Sequence, residues 1–241
     1  MNIASQLRGR ALARPDAAAV VYPIRGPGGR RLRDGQLTFR ALDRNSDHVA
    51  AALEGAGIGR GTRTVMMVPP GREFVTIAFA LQKLGAVLVL IDPGIGPRRL
   101  ARCLAEAEPV AFIGVPRAHL ARALLGWARR SLRIRIRVGG AVGMPGTPLS
   151  QLLRDTPEPA NARPIAATAP EEMAGIFFTS GSTGAPKGVV YSHGTFDAQL
   201  GFLRSQLGLA PEELDLATFP PFALFDPALG ITAVIPAMDA S

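Results

Sequence analysis

The residue types best suited to chemistry stand together in one run, Thr179-Ser180-Gly181-Ser182-Thr183-Gly184-Ala185-Pro186-Lys187-Gly188. Small residues let a backbone wrap closely around a polyanion, and amides and hydroxyls offer hydrogen bonds to phosphate oxygens. Lys187 adds a mobile positive charge, and Lys83 is the one other lysine among 27 Lys+Arg. The run is not a Walker loop. Counted from Gly181, that pattern requires glycine at 186 and Ser or Thr at 188, where Pro186 and Gly188 stand. Nor is it a dinucleotide fingerprint, since Gly181, Gly184 and Gly188 are not spaced G-x-G-x-x-G. A plain hairpin connection draws on the same Ser, Thr and Gly, but ten such residues in this order point to a phosphate-bearing ligand. The histidines form no comparable pattern. His48, His119 and His193 have neither metal-ligand spacing nor a Ser-His-Asp order, so each is expected to be structural and no metal site is expected.

The elements that must position this run are legible from periodicity and punctuation. Apolar stretches at 175–178 and 189–191 read as strands on either side of it, so a strand and not a helix follows the run. Upstream, a helix over 3–14 ends at Arg14-Pro15, and 18–22 is a strand followed by a glycine-rich turn at 26–30. Thr38 caps a helix carrying Phe39, Leu42, Val49, Ala50 and Leu53, ended by Gly55 and Gly57. Strands at 65–68, 86–91, 110–115 and 132–138 alternate with helices at 73–84, 97–107 and 117–130. This order implies an α/β fold with mostly parallel sheets flanked by helices. In 132–138 the apolar residues face one way and Arg133, Arg135 and Arg137 the other, as in a charged, solvated edge strand. The expected organisation is a first α/β subregion over 1–138, a linker over 139–170 rich in Pro and Gly, and the phosphate-loop region over 171–241.

Composition narrows the function classes. A chain of 241 residues, 47% apolar and 19% charged, suits a globular protein and excludes collagen, coiled coil and a disordered tail. The single cysteine, Cys103, makes no internal disulfide, which fits a cytoplasmic location. No apolar run reaches the roughly 20 residues that span a bilayer. The net charge of +8 is uneven: residues 1–140 hold 23 Lys+Arg against 9 Asp+Glu, and residues 141–241 hold 4 against 10. No aromatic residues interleave the arginines of 132–138 to stack bases, so nucleic acid is not the expected partner.

The run Phe178 to Val189 resembles the phosphate-loop signature of the adenylate-forming enzymes, the superfamily of acyl-CoA synthetases, luciferases and peptide-synthetase adenylation domains. Leu37-Thr38-Phe39-Arg40-Ala41-Leu42 and Gly85-Ala86-Val87-Leu88-Val89-Leu90-Ile91-Asp92-Pro93 are similar to upstream segments of these proteins. Within the superfamily, Thr218-Phe219-Pro220-Pro221-Phe222-Ala223-Leu224-Phe225-Asp226-Pro227 resembles the β-lactone synthetases of bacterial long-chain olefin biosynthesis. Many acyl-CoA ligases have histidine where Ala223 stands and glycine where Asp226 stands.

The resemblance implies ATP and Mg2+ as cofactors and a small-molecule fatty acyl substrate, activated as an acyl-adenylate. Thr179, Ser180, Gly181, Ser182, Thr183, Gly184 and Lys187 would contact the β- and γ-phosphates. Phe222, Ala223 and Phe225 would border the acyl chain, although Phe219, Phe222 and Phe225 also fit core packing at helical spacing. It further implies a multi-enzyme olefin-biosynthesis assembly as partner. The family's adenine-binding segment, magnesium-associated glutamate and catalytic lysine come later in the sequence, so no catalytic residue is located here and the chain is expected to be an N-terminal piece. A long-chain fatty-acid CoA or AMP ligase, or an Arg-rich interaction module without catalysis, are the alternative readings.

Overall fold

The computed structural model describes residues 2–26, 31–141, 143–179, 186–218 and 222–236. Its elements form where local signals demand them. Asn2 accepts the Ala4 N–H and opens α1, Ile3–Ala13, and the Thr38 hydroxyl accepts the Ala41 N–H at 3.1 Å to open α2, Phe39–Gly55. Such caps satisfy backbone donors that a helix start leaves free. Between them lie β1, Ala18–Arg25, and β2, Arg31–Thr38. The chain then alternates: β3 Arg63–Met67, α3 Arg72–Lys83, β4 Val87–Ile91, α4 Pro97–Ala107, β5 Ala111–Gly114, α5 Pro116–Leu125 and β6 Ile134–Arg137. After β7, Thr147–Pro148, and α6, Leu149–Asp155, come β8, Met173–Thr179, β9, Lys187–Ser192, and α7, His193–Gln206. The last elements are β10 Leu214–Leu216, α8 Phe222–Leu229 and β11 Thr232–Val234.

Two sheets result. The larger runs β7-β6-β5-β3-β4-β8-β9, parallel throughout except for the antiparallel pair of β8 and β9. The smaller runs β10-β11-β1-β2, with β1 parallel to β11 and antiparallel to β2. The period of two splits the large sheet's side chains between two cores. Val65, Val87, Val89, Phe112 and Phe178 pack with Leu100, Cys103 and Leu104 of α4. Met66, Leu88, Ile113 and Phe177 face α2, α3 and, beyond them, α1, α8 and the small sheet. Strands covered on both faces lack polar alternation, which is why 86–91 is apolar throughout. The fold is α/β, with mostly parallel sheets flanked by helices.

Three expectations change. The arginine-bearing strand is four residues long and lies between β5 and β7, so β7 is the edge, and Arg137 is 3% exposed. Residues 139–170 contribute β7 and α6 and are more than a linker, while β8 joins the sheet that β3 to β6 build. The helix expected over 117–130 stops at Leu125, because Gly126 adopts φ +68° and its N–H caps the Arg122 carbonyl. That left-handed conformation is one glycine enters without strain.

Candidate active site

β8 ends at Thr179 and β9 begins at Lys187, and these two exposed residues are register partners at the loop end of the hairpin. Ser180, Gly181, Ser182, Thr183 and Gly184 lie outside the described residues. The backbone around the run is tightly built. A Cβ at Gly188 would stand 3.0 Å from Phe178 Cζ and 3.2 Å from Ile176 Cγ2, so even alanine there displaces the aromatic ring beneath the run. β8 is parallel to β4, and Phe178 pairs with Ile91, so the run leaves the sheet at the carboxyl ends of the parallel strands. Open α/β sheets bind ligands at that end, where loops and helix starts converge. At the same end Asp92 Oδ1 accepts the Gly94 N–H at 2.8 Å and shapes the turn after β4.

An aromatic ladder links the hairpin to α8. The rings of Phe177 and Tyr191 are 4.8 Å apart, Tyr191 stacks on Phe196 of α7 at 5.5 Å, and Phe196 meets Phe225 edge-on at 5.5 Å. Phe225 is 6% exposed and belongs to the core, and Phe222 and Ala223 open the same helix. The structure therefore brings the hairpin and α8 together through one set of packed rings. Behind the hairpin, Glu172 anchors the approach to β8. Its carboxylate accepts Arg60 Nε at 2.7 Å, Arg60 Nη2 and the Ala169 N–H at 2.6 Å, and the Arg60 hydrogen bonds lead in holding it down to about 2. The Glu172 carbonyl in turn accepts the His193 N–H at 2.9 Å, fixing the start of α7.

Two groups carry chemistry that the sequence reading missed. Asp226, on α8, is 5% exposed and its carboxyl is pushed up to about 8, by burial first and then by the charge and hydrogen bond of Asp215 on β10. Asp226 Oδ2 has no hydrogen-bond partner among the described residues, so no donor there stabilises an ionised carboxylate. The second group is buried. Lys83 Nζ donates to Asp43 Oδ1 at 2.6 Å, to the Asp43 carbonyl at 2.7 Å and to Asp47 Oδ1 at 2.8 Å, while Arg8 Nη2 reaches Asp47 Oδ1 at 2.7 Å. Asp43 and Asp47 sit one turn apart within the buried stripe of Phe39, Leu42, Ser46 and Ala50, which is a signal present in the sequence.

The histidines are spread over separate elements. His48 Nε2 lies 2.8 Å from the Thr156 carbonyl, His119 Nε2 lies 2.9 Å from the Ile136 carbonyl, and His193 is fully buried. Among the described residues no group of three His, Cys, Asp or Glu converges on a point a metal ion could occupy. A cleft of about 790 Å3, lined in part by Arg133, Arg135, Gly146 and Gln151, lies at the opposite edge of the large sheet from the hairpin and is separate from this site.

The sequence matches a known family. The model of the AMP-binding enzymes matches residues 7–226, and the chain belongs to that family. It is 54% identical over 241 residues to the olefin beta-lactone synthetase of Stenotrophomonas maltophilia strain K279a, covering 99% of this chain and 43% of that protein. The olefin beta-lactone synthetase of Xanthomonas campestris pv. campestris is 50% identical over 239 residues, which is 42% of its length. The chain thus spans less than half of these curated relatives. Among solved structures, the anthranilate CoA ligase AuaEII in complex with anthranoyl-AMP has the same fold, with a TM-score of 0.82 at 20% identity over 99% of this chain and 45% of that one.

Proposed function

We propose that the chain supplies the pyrophosphate-holding and acyl-binding region of an enzyme that activates a long-chain 2-alkyl-3-hydroxy acid with ATP and closes it to a β-lactone. The observation that carries this reading is the 54% identity, over nearly the whole chain, to a protein named olefin beta-lactone synthetase. A carboxylate has no good leaving group, so its oxygen first attacks the α-phosphorus of ATP, forming the acyl-phosphate bond and releasing pyrophosphate. The 3-hydroxyl oxygen then attacks the activated carbonyl and gives up its proton, and AMP leaves as the four-membered ring closes. No CoA enters this sequence.

In this reading Thr179, Ser180, Gly181, Ser182, Thr183, Gly184 and Lys187 hold the β- and γ-phosphates. Donors fixed in advance around developing charge are worth more than solvent, because they need no reorganisation when the charge forms. Mg2+ travels with the nucleotide, and the described residues add no ligand cluster of their own for it. Phe222, Ala223 and Phe225 border the acyl chain, where the small side chain of Ala223 leaves room for a branched substrate. Delivery of so insoluble a substrate fits membership of a multi-enzyme olefin-biosynthesis assembly in the cytoplasm.

Product analysis tests this directly. Residues 1–241 replace the matching segment of the Stenotrophomonas protein, and the chimera receives ATP and a 2-alkyl-3-hydroxy acid with and without CoA. A β-lactone formed equally in both supports the proposal. A thioester formed with CoA, and no lactone, makes the chain part of a long-chain CoA ligase instead.

A further inference from the structure

Helix α5 partitions its side chains against the usual rule. It buries His119 and Arg122, at 0% and 7% exposure, and presents Leu120, Leu124 and Leu125 at 52%, 77% and 53%. Arg117, Leu120 and Leu124 follow at i, i+3 and i+7, so one outward stripe carries an exposed arginine and two exposed leucines. Exposed Arg129 and Arg130 follow just beyond the helix, and Arg133 and Arg135 lie at the adjoining strand. The charged groups acting on Arg122 are Arg135 and Arg129, and those acting on His119 are Arg122, Arg135 and Arg137.

No carboxylate in the segment answers this charge. Residues 109–154, which build β5, α5, β6, β7 and most of α6, contain eight arginines and no Asp or Glu. The other 195 residues hold 19 Lys+Arg and 19 Asp+Glu, so the entire net charge of +8 resides in this one edge of the large sheet.

We infer that the α5 edge docks on an anionic lipid bilayer, with Leu120 and Leu124 entering the interface and Arg117, Arg129 and Arg130 meeting headgroup phosphates. Charge complementarity gives the sign of the partner, and the leucines give its kind. Leucines standing proud of a helix enter a deformable surface without a matching pocket, whereas a folded acidic protein would have to supply one. A nucleic acid gains nothing from them, and Trp127, the aromatic residue of this stretch after Phe112, is only 7% exposed. Apolar insertion combined with basic residues is the combination that holds proteins on anionic membranes. Docking of this kind does not depend on which acid the enzyme activates.

Co-sedimentation of the full chain with phosphatidylcholine vesicles, alone and mixed with phosphatidylglycerol, tests this. Binding is expected to the mixed vesicles and not to phosphatidylcholine alone. Leu120→Ser with Leu124→Ser should lower the partition coefficient at least tenfold, and Arg129→Glu with Arg130→Glu by about fivefold for each charge removed. All four positions are exposed, so melting temperatures serve as the folding control. Failure to bind mixed vesicles, or equal binding to both vesicle types, overturns the proposal. So does anionic binding that survives the leucine substitutions, or preferential release of the protein onto polyglutamate or duplex DNA.

Discussion

Asp226 departs furthest from the ordinary chemistry of its side chain. Its carboxyl keeps a proton from the usual value of 3.8 up to about 8, whereas the unfolded chain loses that proton near 3.8. The native state therefore binds more protons across this window, and stability falls as pH rises through it. Asp226→Asn removes that dependence. The variant should melt close to the parent at pH 4 and several degrees above it at pH 8, since each unit of difference is worth about 1.4 kcal/mol and 1 kcal/mol moves Tm by roughly 2–4 °C at this size. A difference that does not grow with pH contradicts the assignment. At Ala223 the prediction is catalytic: in the chimera, Ala223→Trp should raise KM for long-chain acids at least tenfold and leave KM for ATP unchanged. The run from Thr179 to Gly188 can be singled out in sequence because its residue types and order are local. The proton on Asp226 cannot, because its burial, and after that the approach of Asp215, arise only through the packing of α8 on the small sheet.

At the scale of elements, the cluster of Arg8, Asp43, Asp47 and Lys83 ties α1, α2 and α3 behind the large sheet. Burial lowers the Lys83 pKa, and the two carboxylates oppose that shift. Removing one member leaves buried charge without its partner, which costs about 3–5 kcal/mol. Lys83→Met should accordingly lower Tm by roughly 10 °C, measured by calorimetry or denaturant melting. A change under 1 kcal/mol would make the cluster incidental to folding. The Thr38 cap, the apolar stripe of α2 and the two strands flanking the phosphate run could be read directly, since caps and periodicity act within a few residues. Asp43 and Asp47 were present in that stripe, but Lys83 stands 36 residues beyond Asp47 and only the packing of α3 on α2 pairs them. The end of α5 was misplaced for a related reason, because the alanine, leucine and arginine around Gly126 favour helix more than one glycine interrupts it.

Across the whole molecule, the hairpin of β8 and β9 occupies one edge of the large sheet and the arginine-rich segment the other. The mostly parallel architecture followed from the alternation of strands and helices, whereas the second sheet did not. β1 pairs with β11 more than 200 residues away, a contact that no local pattern announces. The proposed activity requires Thr179 to Lys187 to grip the pyrophosphate end of ATP, and pyrophosphate release by the chimera measures that grip most directly. With ATP and a 2-alkyl-3-hydroxy acid the parent chimera should release pyrophosphate, and Lys187→Ala should slow that release by ~100-fold while melting at the parent's temperature. Equal release by the parent and Lys187→Ala, or none from a chimera that melts cooperatively, would contradict that role.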